Sequence, residues 1–513
     1  MDSPGLIGYQ TSARMRRLAL PLLLGLSGLV GACGDGPEAA VPTRNALADK
    51  WLVRAKQSYR GGDLDDACQA IDGAMKAAPK DIETRLVGAR IALAKLDYNE
   101  AIGLTENIPG SDAKGVRGRA FWYAGDIERA ADELDDMMRD PNVKDPWARD
   151  VSKLARRGQG RHPFAIEGGV VAAVEMPPEL SPALVVPCEL DGENILALVA
   201  TNFGELMIDS ASRKEPAWVN LRFDRRVEIK DVPALTHDLT NVSRQLGAPI
   251  KALLGVNVLR HMHVTFDRRA SQFVVRKTDP PAPPEASRLP LFYARGGAMM
   301  MRGSVSAKED GTTLFFVDSS AFYPLALDDN YLKRSGANLA SFTAQPGAPA
   351  NWKMGYLPHF KLGTVELPQV PAMQGPNIGE YKQTFDVDLG GIVGAGLLAA
   401  FRVTFGEDGR WLWLELDETL MGPARGAPPP PPTQGGQGVS PPLFGTVPRP
   451  PGPGPVTPPK PTPAPGPPPA PVLKPGPTPA PTTVPKPPPA PAPPPGPGAL
   501  TPKPQTESKG AAK

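Results

Sequence analysis

The residues best placed to do chemistry are Asp318 and Ser319, which follow the apolar run Leu314–Val317. A carboxylate at the end of an apolar strand, braced by a hydroxyl residue, can take a proton from a water molecule. Efficient chemistry of this kind uses two facing carboxylates, because like charges in contact share one proton and so supply an acid and a base together. The plain alternative is that Asp318 is a turn residue, since Asp and Ser are common turn formers.

The strands that would position such a site occur twice in the sequence. Val264-Thr265-Phe266 in one half matches Val403-Thr404-Phe405 in the other, and each leads into a predicted hairpin. Upstream of each, two apolar residues and a glycine stand together, at 253–255 and at 392–394. Short β-branched and aromatic runs, interrupted by Gly, Pro and Asp, predict all-β structure in both halves.

This layout resembles the retropepsin/pepsin-like aspartic peptidases. In that family each lobe has a strand ending in Asp-Thr/Ser-Gly, a later apolar-apolar-Gly strand that crosses behind it, and a closing hairpin. The resemblance implies two all-β lobes, over residues 163–280 and 285–420. It also implies that Asp318 is a catalytic aspartate supported by Ser319, and that neither a cofactor nor a metal takes part.

The sequence departs from the family pattern at both turns. Ser320 replaces the glycine of the second lobe, and Ala200-Thr201-Asn202 stands where the first lobe should have Asp-Thr-Gly. Asp209 is the nearest other carboxylate, but the apolar stretch before it interrupts the expected order. Three interpretations stay open: an inactive module that binds peptides or protein partners, a homodimer that pairs two Asp318 side chains, and a single-chain endopeptidase that pairs Asp318 with Asp209. Ala200 favours the first, because alanine has no carboxylate.

Composition excludes several other classes of protein. The 513 residues carry a net charge of +2, which gives no reason to expect a nucleic-acid partner. No HExxH, GxSxG or P-loop motif occurs, which argues against zinc enzymes, serine hydrolases of the nucleophile-elbow type and P-loop NTPases. Of the three cysteines, Cys68 and Cys188 could form a disulfide in an oxidising compartment.

The N-terminus predicts a lipid anchor. Basic residues at Met15-Arg16-Arg17 precede an apolar run, Leu18–Val30, that is too short to span a bilayer. The run ends in Leu29-Val30-Gly31-Ala32-Cys33, which resembles a bacterial lipobox and implies that Cys33 is acylated after removal of a signal peptide. Translation would start at Met15. Because Gly34 rather than Asp follows the cysteine, we expect a cell-envelope lipoprotein on the outer membrane, facing the periplasm.

The segment between this anchor and the lobes predicts helical repeats over residues 45–158. Small residues recur 34 positions apart, as Ala55 and Ala89, and as Ala67 and Ala101. This spacing resembles the tetratricopeptide repeat, in which helix pairs stack on one another. A third, shorter unit follows, and three units suffice to bury a continuous core. The resemblance implies a concave surface that binds peptides or partners; a short helical spacer is the plainer alternative.

The C-terminal residues 424–513 predict a disordered proline-rich tail. They contain 36 of the 65 prolines, with lysines spread along them. Such a composition cannot bury a core and favours extended polyproline II structure. The tail is therefore expected to be a solvated extension, or a spacer that reaches toward the cell wall or a partner.

Overall fold

A computed structural model of the chain describes residues 44–268, 270–306, 308, 311–345 and 349–416. The predicted acylation site at Cys33 and the predicted tail at 424–513 lie outside the described residues. Within them, an α-helical part is followed by β-lobes, as the sequence predicts. No helix in the described ranges is both long enough and apolar enough to cross a membrane.

The first described part of the chain consists of α-helices. They are α1 (Ala46–Arg60), α2 (Leu64–Ala77), α3 (Ile82–Ala94), α4 (Tyr98–Thr105), α5 (Ser111–Tyr123), α6 (Ile127–Met138) and α7 (Pro146–Arg156). They pack as successive pairs, α1 with α2, α3 with α4 and α5 with α6. The second helix of each pair begins after an aspartate, at Asp63, Asp97 and Asp126, whose side chain accepts a hydrogen bond from the N–H three residues on. This repeated architecture is the one expected, while the tetratricopeptide assignment itself stays a prediction.

Strands and short helices make up the rest. The first half contains β1 (Ala165–Gly168), β2 (Val171–Glu175), β3 (Val185–Leu190), β4 (Glu193–Val199), β5 (Leu206–Asp209), β6 (Ala217–Phe223), β7 (Val227–His237), α8 (Thr240–Leu246), β8 (Ile250–Leu254), α9 (Val256–His261), β9 (Thr265–Asp267) and β10 (Gln272–Arg276). The second half contains β11 (Ser287–Tyr293), β12 (Met299–Ser304), β13 (Thr312–Asp318), β14 (Leu325–Leu327), α10 (Asp329–Arg334), β15 (Thr343–Ala344), β16 (Lys353–Leu362), β17 (Val365–Gln374), α11 (Ile378–Phe385), β18 (Leu389–Gly394), α12 (Ala395–Leu398), β19 (Phe401–Gly406) and β20 (Trp411–Leu416).

The two halves share a sheet, which the sequence-based division at residues 280–285 does not anticipate. A seven-stranded sheet has the order β1-β7-β5-β8-β4-β3-β6. A thirteen-stranded sheet has the order β15-β16-β17-β14-β18-β13-β12-β11-β20-β19-β9-β10-β2, so that three strands of the first half join the second half. At the junction, the two matching Val-Thr-Phe segments pair with each other: Thr265 lies opposite Thr404, and their hydroxyl oxygens are 2.8 Å apart.

The strands that lead to the site occur in two equivalent sets, one in each half of the β structure. β4 pairs in parallel with β8, with Val199 opposite Leu254, and β13 pairs in parallel with β18, with Val317 opposite Val393. Both pairs have a register irregularity near their start. β5 lies between β7 and β8 as β14 lies between β17 and β18, again with the same directions. The apolar-apolar-Gly strands therefore cross beside the two turns, as the resemblance implies.

The glycine at the end of each crossing strand is required by a close backbone approach. A Cβ on Gly255 would lie 2.1 Å from the carbonyl oxygen of Glu205, and one on Gly394 would lie 2.0 Å from that of Tyr323. Real Cβ atoms do not approach a carbonyl oxygen this closely. The recurrence of glycine in both halves thus has a steric cause, which is that each crossing strand meets the loop after the turn.

The helical part contacts both halves of the β structure. The indole N–H of Trp218 in β6 donates to the carbonyl of Leu154 at 2.9 Å. On the other half, the rings of Tyr59 and Phe292 are 5.1 Å apart, and Arg302 forms an ion pair with Asp63 at 2.8 Å. The helices therefore hold both halves at once.

The two described cysteines do not form the disulfide that the sequence allows. Cys68 and Cys188 are both free thiols, the first half-buried in α2 and the second buried in β3. Burial raises the pKa of the Cys188 thiol to about 12, which makes it inert at neutral pH.

Candidate active site

Four hydrogen bonds join the turns that follow β4 and β13. Thr201 Oγ1 donates to the carbonyl of Val317 at 2.7 Å and accepts from the Ser319 N–H at 3.0 Å. In the same way, Ser319 Oγ donates to the carbonyl of Val199 at 2.7 Å and accepts from the Thr201 N–H at 3.0 Å. Thr201 and Ser319 are both fully buried. Two hydroxyl residues thus brace the opposite turns reciprocally, and the role of Ser319 in supporting a catalytic Asp318 stays a prediction.

This reciprocal bracing makes Ala200 the counterpart of Asp318. Each residue directly precedes its bracing hydroxyl residue and follows the last apolar residue of its strand. The main-chain hydrogen bonds that follow the two turns also match. The Val256 N–H donates to the carbonyl of Phe203 at 2.8 Å, and the Ala395 N–H donates to that of Ala321 at 2.7 Å. A methyl group therefore occupies the position where a second carboxylate would face Asp318.

Asp318 is nearly buried, at 7 % exposed, and its carboxylate bonds within its own turn. The N–H and the hydroxyl of Ser320 both donate to Oδ1, at 2.9 and 2.6 Å. Burial raises the pKa of Asp318, and the hydrogen bonds from Ser320 and the Ala321 N–H only partly oppose this. Ser320, which replaces the glycine of the family motif, therefore satisfies the carboxylate locally in the manner of a turn residue.

Two tyrosines of the second half lie near Asp318. Burial raises the pKa of both Tyr323 and Tyr381, and the charge of Asp318 adds to this rise, which places both phenols near the carboxylate. Trp352, in the hairpin that connects β15 to β16, meets the ring of Tyr323 edge-on, with centroids 6.3 Å apart. Tyr323 and Trp352 form an aromatic wall beside the site, and because both are only half-buried, part of each side chain is open to a ligand.

Asp209 does not lie at the position that a dyad partner of Asp318 would occupy. Asp209 ends β5, where Lys251 Nζ lies 3.3 Å from Oδ2 and the Ala211 N–H donates to Oδ1. By strand pairing its twofold counterpart is Asp328, which has a lysine partner and a bond to the N–H two residues on in the same way. Asp209 and Asp318 share no hydrogen-bonding partner within the described ranges.

A homodimeric dyad would need the position that this chain already fills. The turn of the first half, braced through Thr201, lies where a second copy of the Asp318 turn would have to lie. Two copies could bring their Asp318 side chains together only if both chains first separated their own halves. The homodimer stays a prediction, and the pairing of the halves within one chain argues against it.

A buried glutamate that the sequence analysis missed lies beside this turn. Glu205 is 3 % exposed and accepts hydrogen bonds from Trp147 Nε1 and Asn257 Nδ2, both at 3.3 Å. Burial raises its pKa. Asn257 in turn accepts from Arg260 Nε at 3.0 Å. The sequence did contain a signal for this residue, because Glu205 is a lone acid in the apolar stretch after the Ala200 turn. Its donor Trp147, however, comes from a distant helix, and the sequence gives no sign of that contact.

One cluster has the atoms to hold a cation. His263, Asp279 and Asp408 offer ligand atoms that all lie within 4.8 Å of one another. His263 Nδ1 is 2.8 Å from Asp279 Oδ1, and the Asp408 N–H donates to the same carboxylate at 3.2 Å. The Asp408 carboxylate takes no part in these hydrogen bonds, and exposed acidic groups of this kind are common without an ion.

Similarity to known proteins is found among solved structures. No family model matches the chain, and no curated protein matches it. Among solved structures, the chain is similar to a retropepsin-like aspartic protease from Rickettsia conorii, at 19 % identity and a TM-score of 0.19, over 25 % of this chain and 90 % of that chain. A likeness of this size carries no argument about activity. The resemblance of the lobes to aspartic peptidases depends instead on the crossing strands and the braced turns described above.

Proposed function

We propose that this chain is a lipid-anchored envelope protein whose aspartic-peptidase-like lobes bind extended peptides or protein partners without cleaving them. The observation that carries the proposal is Ala200, the residue that the reciprocal Thr201–Ser319 hydrogen bonds make equivalent to Asp318. With one carboxylate, the site can supply a base or an acid but not both to the same water and carbonyl. Ser320 further engages the remaining carboxylate.

Two features support peptide binding. β15 is an edge strand of the thirteen-stranded sheet, so the described residues leave one side of its backbone unpaired. An extended peptide can add to such an edge through main-chain hydrogen bonds, and pockets for its side chains then give specificity. The aromatic wall formed by Tyr323 and Trp352 lies next to the hairpin that carries this edge.

Cleavage assays test the inactive state. The full chain in detergent is incubated with a mixed peptide library between about pH 3 and 7, as wild type, Asp318→Asn, Ala200→Asp and the double variant. We expect no cleavage by the wild type, and cleavage by Ala200→Asp that disappears in the double variant, because the added carboxylate would restore a shared proton. Wild-type cleavage that Asp318→Asn abolishes would refute the proposal and establish the alternative, an active aspartic endopeptidase.

Peptide binding is tested with Trp352→Ala and a matched control. Tyr356 lies on the same strand pair but is 61 % exposed, so Tyr356→Ala removes an aromatic ring of similar size at the surface. Peptides selected from the library by the wild-type chain should bind Trp352→Ala about tenfold or more weakly, since a buried aromatic anchor contributes more than 1 kcal/mol. They should bind Tyr356→Ala normally. Equal affinity for both variants would place the bound peptides elsewhere.

The anchor is tested separately by fractionation. In cells, the wild-type chain should label with palmitate and sediment with membranes, while Cys33→Ser should do neither, because acyl chains alone supply the attachment. Cys68→Ser serves as the control. Membrane association that persists in Cys33→Ser without label would contradict the lipid anchor.

A further inference from the structure

A cavity of about 700 Å³ lies between the helical part and the β-lobes, apart from the peptidase-like site. Helices α1, α3 and α5 line one side, and the turn Ala294–Gly297 between β11 and β12 lines the other. Asp318 and Ala200 are not among its lining residues. Sites for small organic ligands usually have about 300–1,000 Å³, so this cavity has the size of a binding site.

The charge of the cavity lining is unbalanced. Six basic and three acidic residues line it: Lys56, Arg60, Arg90, Arg119, Lys144 and Arg295 against Asp112, Asp145 and Asp386. Four of the basic residues have acidic partners, within or beyond the cavity. Lys144 and Arg295 form no ion pair with any residue that the structure describes. Both are exposed and therefore accessible to a ligand.

The excess positive charge is concentrated at one corner, around Asp145. Burial by itself would raise the pKa of this carboxyl, but Arg119, Arg295 and the Ala148 N–H together lower it. Both guanidinium groups therefore act on the same carboxylate from opposite walls, Arg119 from α5 and Arg295 from the β11–β12 turn. Lys144 is the neighbour of Asp145 in the chain. Two guanidinium groups thus act on this one carboxylate, and Lys144 lines the same cavity, so the excess positive charge favours a further anion.

Aromatic rings and unpaired polar groups complete the lining. Tyr98 and Tyr123 line the cavity with their rings 6.0 Å apart. The hydroxyl of Tyr98 and Nε of Arg119 are buried and have no hydrogen-bonding partner among the described residues, whereas the hydroxyl of Tyr123 faces the buried Glu205. Native structures leave few buried polar groups without partners, and each needs an explanation. Two such groups belong to residues that line this cavity, together with its excess of cations.

We propose that this cavity binds a small organic anion, which has an aromatic or apolar body and a carboxylate or phosphate group. Arg295 on the β side and Lys144 with Arg119 on the helical side hold the anionic group. The tyrosine rings pack against the body of the ligand. Because the ligand contacts both walls, its binding also stabilises the contact between the helices and the lobes.

Titration calorimetry with simple probes tests this site in the full chain. Hippurate and phenyl phosphate each combine an aromatic ring with a carboxylate or a phosphate, and hippuramide is the neutral counterpart of the first. We expect at least one of the two anions to bind, and hippuramide to bind at least tenfold more weakly or not at all. The stronger of the two anions identifies the carboxylate or the phosphate as the preferred group. Absence of binding by both anions, or equal binding of hippurate and hippuramide, would overturn the proposal.

Variants place the binding in this cavity. Arg295→Ala, at an exposed turn, should weaken the bound anion about tenfold, as expected for the loss of a hydrogen bond to a charged group. Arg295→Lys should recover part of the affinity. Lys361→Ala, which changes a partly exposed lysine on β16 outside the cavity, should leave the affinity unchanged. An unchanged affinity in Arg295→Ala would reject this site. The outcome is independent of peptide binding by the lobes, because Trp352→Ala should leave anion binding intact.

Discussion

Replacing Thr201 with valine tests the contact on which the interpretation of the site depends. Valine keeps the shape of threonine but removes the hydroxyl that bridges the two turns. The Ser319 N–H loses its only hydrogen-bond acceptor among the described residues, and the Val317 carbonyl loses a bond of 2.7 Å. Thr201 is fully buried, so water cannot replace these bonds without opening the junction.

The expected loss of stability follows from these two lost hydrogen bonds. A buried N–H left without a partner costs about 1–3 kcal/mol, and the lost hydrogen bond to the carbonyl adds about 1 kcal/mol. Thr201→Val should therefore lower the free energy of unfolding by about 2–4 kcal/mol. Ser319→Ala removes the two reciprocal bonds and should have an effect of the same size. The double variant should lose less than the sum, because both residues stabilise one junction.

Urea denaturation followed by tryptophan fluorescence measures the change. Thr343→Val is the matched control, because Thr343 lies in the exposed edge strand β15, where such a change should stay within about 0.5 kcal/mol. A loss below about 1 kcal/mol in Thr201→Val would refute the reasoning. The reciprocal bonds would then not form, and the equivalence of Ala200 and Asp318 would lose its support.

Three further predictions follow from single features of the fold. Gly394→Ala should prevent stable folding, because its Cβ would lie 2.0 Å from a carbonyl oxygen. Gly103→Ala, on the open face of α4, should instead stabilise the folded chain by about 0.4–1 kcal/mol. The melting temperatures of the two variants test this difference. Burial raises the pKa of Asp318 in the folded chain, so stability should fall as pH rises from about 4 through that raised pKa. Asp318→Asn should consequently raise the melting temperature at pH 7 but not at pH 3. A thiol reagent should label the half-buried Cys68 before the buried Cys188 in the native chain, and both after denaturation.

The sequence predicted the parts of the fold that depend on local pattern. The 34-residue spacing of alanines marks the helix pairs, and Ala55, Ala67, Ala89 and Ala101 are all fully buried where those helices meet. The apolar-apolar-Gly segments predicted the crossing strands, because that position excludes a side chain. Asp318 and Ser319 fall at the end of an apolar strand as expected.

The parts that could not be predicted are those in which distant segments meet. The two Val-Thr-Phe segments were recognised as copies, but nothing local indicates that Thr265 and Thr404 pair with each other. Ser320 was interpreted only as a missing glycine, while the structure shows it as the hydrogen-bond donor to Asp318. Glu205 accepts a hydrogen bond from Trp147, which lies on a helix 58 residues earlier in the chain. Pairing of this kind depends on tertiary packing, which sequence pattern does not specify.

The sheet shared between the halves has a consequence for any chain that contains only one of them. β9 and β19 are neighbours in this sheet. If the halves were produced as separate chains, divided within the segment 277–286, each of these strands would have an unpaired edge. Such an edge is a template for another strand. Because β9 and β19 carry the same Val-Thr-Phe segment in twofold-related positions, a half that lacks its natural neighbour could complete the sheet with a second copy of itself. The short segment that connects the halves thus keeps the matching edge of each half next to its counterpart in the same chain.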